Sequence, residues 1–227
     1  FFDSMPRVLR TVALVASVCV LLVFAIEVVG GIPVTTAFFD SISAFSTGLV
    51  EPQGLMNDVT REARAIGITV GLILGSMGIF VLLRLVTREW KRTLTDAEVT
   101  TFVVCLVMFT LLAAIEGLNG FNSFGWAISA LSTSGIALVS PATTHSLPLA
   151  LQLAPALVGG AALSAAGGIK LARLYVLSRR VGQEFLRMGF KQSLLHFQFR
   201  RRIQSDKTLM GIWVYLVAYI MASVVGM

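Results

Sequence analysis

The sequence predicts an all-α membrane protein built from repeated units of helix, pore helix, re-entrant loop and helix, an arrangement that lines ion pores. Three observations support this prediction. Of the 227 residues, 56% are hydrophobic and 13% are charged, whereas about a quarter of the residues in soluble domains are charged. Several apolar runs are long enough to cross a bilayer. Two short stretches rich in Ser, Thr and Gly, residues 42–50 and 128–138, begin alike.

The apolar runs are predicted to be membrane helices, since crossing a hydrocarbon core takes about 20 apolar residues. In chain order they are residues 12–29, 65–83, 99–115, 147–169 and 208–227. The chain begins FFDSMPRVLR and continues directly into the first run. This beginning lacks the features of a secretory signal, and we therefore expect the sequence to be part of a longer protein.

Basic residues concentrate in three segments outside these runs: residues 7–10, 84–92 and 170–207. By the positive-inside rule, all three segments face the cytoplasm. This topology explains the net charge of +6 without nucleic acid as a partner. Consecutive spans must therefore cross and return, so that the material between them lies outside or re-enters. Arg61 and Arg64 fall outside this charge pattern.

The material between the paired spans contains two segments that are predicted to be pore helices, residues 34–45 and 122–131. A helix of about a dozen residues spans roughly half a bilayer at 1.5 Å per residue. A polar stretch with a glycine follows each segment. Irregular backbone at membrane depth is tolerated only where protein buries it or a watery cavity adjoins it, which favours a cavity at these loops.

A repeat relates the two units. Residues 25–27 align with residues 114–116, both reading Ala-Ile-Glu. Residues 42–44 align with residues 128–130, both reading Ile-Ser-Ala. Repeats in membrane proteins commonly place a binding site at their interface, and the carbonyls of a glycine-containing loop can replace a cation's water shell. We therefore expect both loops to face a common axis as an ion filter, formed by Ser46, Thr47, Gly48, Leu49, Thr133, Ser134, Gly135 and Ile136. The alternative is that these small polar residues only pack helices together.

The fourth apolar run contains the glycine-rich segment GGAALSAAGGIK, residues 159–170. Each glycine inside a helix costs about 1 kcal/mol relative to alanine and proline about 3 kcal/mol, so four glycines after Pro155 should interrupt the helix. We expect a gating loop beneath the filter, with Gly159, Gly160, Ser164, Gly167, Gly168 and Lys170 as its candidate residues. A close helix crossing is the alternative. Residues 75–80 of the first unit hold only two glycines, and the second helices of the two units are expected to differ.

The glycine-rich segment resembles the intramembrane loop GGxxGSTxGGxK of the TrkH/KtrB-type potassium transporters in the Trk/Ktr/HKT superfamily. The segment that begins RRRIQSDKTLMG resembles the connection into the fourth unit of that family. The resemblance implies a potassium-channel-like pore, of which this chain covers about the second and third units. The implied divisions are residues 1–98 and 99–207 as pore units and residues 208–227 as the first helix of a following unit. The family's third filter usually reads TTGF where this chain has residues 133–136, and the filter at residues 47–49 is one residue shorter.

The resemblance further implies potassium uptake by a multi-pass protein of the cell membrane, the inner or plasma membrane. It implies a homodimer that binds a cytoplasmic RCK-type nucleotide-binding subunit, for which residues 179–207 offer a basic docking surface. Attraction to lipid headgroups is the alternative role of that surface. In the implied loop, Lys170 helps to hold the backbone in place. A non-conducting membrane scaffold with degenerate filters is the competing function.

The remaining polar residues give weaker indications. Glu27 and Glu116 occupy one repeat position in this alignment, where they would attract cations at the pore mouth or brace a pore helix. Asp40 either adds negative potential near the filter or bonds to neighbouring backbone. Cys19 and Cys105 both lie within spans and indicate no disulfide. No cofactor, no enzyme activity and no metal other than the transported monovalent cation, K+, are expected.

Overall fold

The computed structural model describes residues 5–48, 58–89, 93, 95–136, 138, 147–148, 151–152, 154, 158–189, 198–199, 202–203 and 206–225. Within them the chain is almost wholly helical, which confirms the predicted all-α membrane fold. The elements in chain order are α1 (Met5–Val29), α2 (Val34–Phe45), α3 (Asp58–Ser76), α4 (Ile79–Val86), α5 (Ala97–Ile115), α6 (Gly120–Leu131), α7 (Leu171–Gly189), the strands β1 (Gln198–Phe199) and β2 (Arg202–Ile203), and α8 (Asp206–Val225).

Among the described residues, two helices are long and apolar enough to cross a membrane unbroken: α1 over Leu9–Val29 and α5 over Ala97–Ile115. Helices α3 and α4 are long and apolar enough for a third crossing only when they are counted together as one span. Helices α1 and α5 also leave large apolar side chains exposed, such as Leu21 and Leu111. Exposed apolar surface of this kind is expected of helices that face lipid or further protein.

The path of α1 and α2 is repeated by α5 and α6 at a constant offset of 86 residues, since α2 begins at Val34 and α6 at Gly120. Both pore helices have 12 residues. The connecting turns also match. The N–H of Gly31 donates to the carbonyl of Val28, and the N–H of Gly117 donates to the carbonyl of Ala114. The repeated unit predicted from the sequence is therefore present, with no insertion between its first helix and its loop.

This offset corrects the alignment of the two glutamates. Glu27 occupies the position of Ala113, and both residues are fully buried. Glu116 occupies the position of Gly30 and is exposed as the C-terminal cap of α5. The Ala-Ile-Glu match arises from local sequence alone, because the connections between the helices have equal lengths and leave no room for a shift of three residues.

The apolar run of residues 65–83 is not one straight helix. Helix α3 ends at Ser76, and α4 leaves it at a bend of 112°. Gly78 between them is extended (φ −68°, ψ 145°). A side chain there would lie 2.5 Å from the carbonyl oxygen of Ala162 in the glycine-rich segment. The glycine-rich segment of the second unit packs against this break of the first unit, which is only two residues long.

A row of glycines lets α3 approach its neighbours closely. Gly67, Gly71 and Gly75 are four residues apart and thus lie on one face of the helix. A methyl group at Gly67 would overlap the side chain of Glu27 in α1, and one at Gly71 would lie 2.5 Å from Cβ of Ala44 in α2. Small residues allow such close backbone packing in membrane proteins. This row lets α3 pack closely against both α1 and the first pore helix, α2.

The second pore helix lies in the main apolar core. Trp126, Ile128 and Leu131 of α6 are buried in one cluster with Leu72 of α3, Phe109 of α5 and Leu171 of α7. The core thus joins the two units and surrounds the C-terminal end of α6. That end carries the second candidate filter loop.

Candidate functional site

Both pore helices end in the same unusual turn. Ser46 and Ser132 cap the helices, and the next residues, Thr47 and Thr133, are left-handed with φ of 53° and 52°. The N–H of each threonine donates to the carbonyl three residues before it, that of Ala44 or Ala130. A β-branched residue in this region is an outlier that persists only where its surroundings impose it. The matching φ values show that both turns adopt the same strained backbone conformation.

Equivalent serines fix the two loops at different points. The hydroxyl of Ser43 donates to the carbonyl of Gly48 at 2.7 Å, and that of Ser129 donates to the carbonyl of Ile136 at 2.6 Å. By the 86-residue offset Gly48 corresponds to Ser134, so the second loop continues two residues further before it is fixed. The extra length includes Gly135, which is left-handed at φ 67°. The two loops correspond as far as Gly48 and Ser134, and the difference in filter length stays a prediction because the residues after Gly48 lie outside the described residues.

The predicted filter residues differ in exposure. Thr47 and Ser134 are buried, Gly48, Thr133 and Ile136 are half-buried, and Ser46 and Gly135 are exposed; Leu49 lies outside the described residues. The Ser134 hydroxyl lies within 3.1 to 3.3 Å of hydrogen-bond partners on Ser132, on the carbonyl of Ser129 and on the N–H of Ile136. We predicted that both loops face a common axis, and this stays a prediction.

The glycine-rich segment is a closed loop. The N–H of Gly159 donates to the carbonyl of Ile169 at 3.0 Å, and the N–H of Leu171 donates to the carbonyl of Gly160 at 3.1 Å. A side chain at Gly159 would overlap the carbonyl of Gly167. The two ends of the loop are therefore tied together, and glycine is required where they meet.

Lys170 braces this loop from inside. Its ammonium group donates to the carbonyl of Ala166 and lies 3.3 Å from the carbonyl and 3.4 Å from the hydroxyl of Ser164. Gly168 is left-handed at φ 72° and so allows the chain to reverse within the loop. Lys170 therefore bonds to the backbone of the loop that precedes it, and its role in transport stays a prediction.

The loop is also bound to the first unit. The N–H groups of Ala161 and Ala165 donate to the carbonyls of Ser76 and Gly75 at 2.9 and 3.1 Å. These carbonyls belong to the last turn of α3, where the end of a helix leaves acceptors without intrahelical partners. The interruption of α3 thus supplies the acceptors that hold the loop. The pair of glycines at residues 75 and 78 was the sequence signal for this interruption.

One candidate filter residue, Thr133, contacts the loop directly. The N–H of Gly167 donates to Oγ1 of Thr133 at 2.6 Å. The structure therefore brings the second filter turn and the glycine-rich loop together at one hydrogen bond. Sequence reasoning proposed both groups of residues but did not predict this contact.

Asp40 forms a buried ion pair that the sequence did not predict. Its two carboxylate oxygens accept hydrogen bonds from Nε and Nη2 of Arg64 at 2.6 and 3.1 Å. The Asp40 side chain is 1% exposed and that of Arg64 is 16% exposed. Asp40 therefore bonds to α3 rather than to neighbouring backbone, and its charge is offset by a cation. The pair also explains why Arg64 lies outside the three basic segments of the chain.

Glu27 lies between α1 and α3, against Gly67. Both of its carboxylate oxygens are buried, and within the described residues neither has a hydrogen-bond partner. A buried polar group without a partner costs about 1 to 3 kcal/mol. We therefore expect Glu27→Met, which keeps a similar volume, to raise the free energy of unfolding by about that amount.

Denaturant unfolding of the purified full-length protein in detergent measures this change. Glu116→Met, at the exposed glutamate, is the control and should have little effect. If Glu27→Met instead lowers the stability, the carboxyl group of Glu27 has a partner such as a buried water.

No family model matches the sequence. Over 140 residues the chain is 24% identical to the Trk system potassium uptake protein TrkH of Salmonella typhimurium, a match that covers 60% of this chain and 29% of that protein. Over 138 residues it is 25% identical to TrkH of Escherichia coli K12, again over 60% and 29%.

The fold is that of the crystal structure of the potassium transporter TrkH from Vibrio parahaemolyticus, with a TM-score of 0.82 and 16% sequence identity. The match covers 98% of this chain and 50% of that chain. The resemblance predicted from the glycine-rich segment is thereby confirmed for the fold, and the chain spans about half the length of this structural relative.

Proposed function

We propose, from the fold that this chain shares with TrkH potassium transporters, that it forms part of a pore that carries K+ across the membrane. The observation that carries the proposal is the pair of matched left-handed turns, at Thr47 and Thr133, at the ends of two equivalent pore helices. Such turns can present successive backbone oxygens to a cation that has lost its water. The hydrogen bond from Gly167 to Thr133 connects this arrangement to the glycine-rich loop.

In the proposed mechanism, the loop of residues 159–170 obstructs the path below the filter and transport requires it to move. Its ends are tied to each other and its middle is bound to the last turn of α3. The loop would therefore move as one body about its hydrogen-bonded ends. Its hydrogen bonds to the carbonyls of Gly75 and Ser76 would be replaced by hydrogen bonds to water. This is a gating role, and no bond of a substrate is made or broken.

A non-conducting scaffold is the second candidate. The observation in its favour is the difference between the loops, because equivalent serines fix carbonyls two positions apart. Four matching loops around an axis would coordinate an ion more symmetrically than loops of unequal length. The uptake experiment below separates the two functions.

We also propose a homodimer in the cell membrane and an RCK-type nucleotide-binding subunit that docks on the cytoplasmic side. Helix α7 supports this part, since it follows the loop directly and carries the exposed Arg179. The guanidinium of Arg173 lies 3.8 Å from the ring centroid of Tyr215 and joins α7 to α8. A partner that pulls on α7 would therefore act on the loop and on α8 together.

The test is rubidium uptake, as a tracer for K+, by the full-length protein in cells that lack their own potassium uptake systems. Gly135→Ala is expected to lower uptake by about tenfold, because a left-handed alanine costs about 1 to 2 kcal/mol and would distort the second filter loop. Gly117→Ala is the matched control. It is also left-handed, at φ 97°, with open space around it, but it lies between α5 and α6.

Equal membrane expression with normal uptake by Gly117→Ala would assign the loss to the filter. Equal losses in both variants would show that strain at any left-handed glycine disables the protein. A parent protein that reaches the membrane and takes up no rubidium would establish the scaffold instead.

A further inference from the structure

The hydroxyl of Thr133 joins two parts of the candidate ion path. It belongs to the left-handed residue of the second filter turn and accepts the N–H of Gly167, 34 residues later, at 2.6 Å. A methyl group at Gly167 would lie 3.1 Å from this hydroxyl, tighter than most such contacts. The glycine therefore permits the close approach that the hydrogen bond needs.

The equivalent threonine of the first unit is used differently. Thr47 has the same backbone conformation, but its hydroxyl donates to the carbonyl of the adjacent Ser46 at 2.8 Å. The repeat therefore explains the shape of the turn and not the contact with the loop. The contact is a property of the second filter turn in this structure.

On its opposite side the loop is bound to the first unit through the N–H groups of Ala161 and Ala165. It is thus held between the last turn of α3 and the second filter turn. Displacement of the loop away from either side requires at least one of these hydrogen bonds to break. The hydrogen bond at Thr133 is the one that ends on a filter side chain.

We propose that Thr133 is a latch residue, whose hydroxyl holds the glycine-rich loop in its seat and couples loop movement to the second filter turn. The inference rests on the proposed function for its effect on transport, but the latch itself is a physical contact that can be tested without transport. Thr133 is thereby a positioning residue for the loop. Removal of its hydroxyl should release the loop.

The test follows the accessibility of the loop with a cysteine introduced at Ala166, whose side chain is buried while the loop is seated. The full-length protein is treated in membranes with a water-soluble thiol reagent. The protein without the introduced cysteine, which keeps the buried Cys19 and Cys105, gives the background. The parent for all comparisons is the protein that carries the introduced cysteine and no other change. Thr133→Val removes the hydroxyl and keeps the β-branched shape. We expect it to speed labelling by about threefold to tenfold, the effect of losing one hydrogen bond.

Two controls isolate the hydroxyl. Thr133→Ser keeps it and should label like the parent. Thr47→Val makes the same substitution at the matching turn, where the threonine hydroxyl donates to Ser46 rather than to the loop, and should also label like the parent. Rubidium uptake and the ratio of rubidium to sodium uptake are measured on the same variants.

Faster labelling in Thr133→Val alone, with changed uptake, supports the latch. If Thr133→Val labels faster but the parent protein transports no ion, the latch is supported and the proposed transport function is overturned. Unchanged labelling in Thr133→Val overturns the latch, and a changed ion ratio would then identify Thr133 as a filter residue only. Equal acceleration in Thr47→Val also overturns it, because loss of a threonine hydroxyl from either turn would then loosen the loop without the contact to Gly167.

Discussion

Arg64→Met is expected to lower the free energy of unfolding by about 3 to 5 kcal/mol, the usual cost of removing one partner from a buried ion pair. The reason is that the Asp40 carboxylate, only 1% exposed, would remain inside the protein without its cation. The pair joins α2 to α3, so the loss should also loosen the first pore helix. Denaturant unfolding of the purified full-length protein in detergent measures the change.

The control is the double variant Arg64→Met with Asp40→Leu. Replacement of both members of a buried ion pair by apolar residues is often neutral or stabilising, and the double variant should regain most of the lost stability. A single variant with parent-like stability would show that Asp40 reaches solvent or another cation. A double variant no more stable than the single one would show that Arg64 acts through its other contacts.

Gly75→Ala is expected to destabilise the protein by about 1 to 3 kcal/mol, the usual cost of overfilling a packed site. A methyl group at Gly75 would overlap the carbonyl oxygen of Phe45, which is the last residue of α2. The pore helix must then shift where it leads into the first filter turn. The carbonyl of Gly75 also accepts the N–H of Ala165, so we expect the glycine-rich loop to be disturbed as well.

Gly182→Ala in α7 is the matched control, because it is a helical glycine with open space around it. There the same change should raise stability by up to about 1 kcal/mol through helix propensity alone. Opposite signs for the two variants, by thermal unfolding in detergent, would establish close packing at Gly75. Equal stabilisation of both would mean that α2 and α3 lie further apart than the structure has them.

The sequence by itself determined the class of fold and the position of its most distinctive segments. The length of the apolar runs indicates membrane helices because crossing a bilayer sets a minimum length. The first pore helix was predicted at residues 34–45, and α2 has those bounds. The second was predicted to begin at residue 122 and begins at Gly120. The glycine-rich loop was also placed correctly, since glycine content is a local property that interrupts a helix wherever it packs.

Only the tertiary structure decided how these segments are paired. The interruption of α3 at residues 77–78 depends on the loop that occupies it, and Asp40 and Arg64 meet only because α2 packs on α3. The register of the repeat likewise follows from equal connections between helices, which a match of three letters at Glu27 and Glu116 cannot reveal. The bond between Thr133 and Gly167 has the same origin. Local composition sets where a helix breaks or bends, whereas the partner of a polar group is set by the helices that surround it.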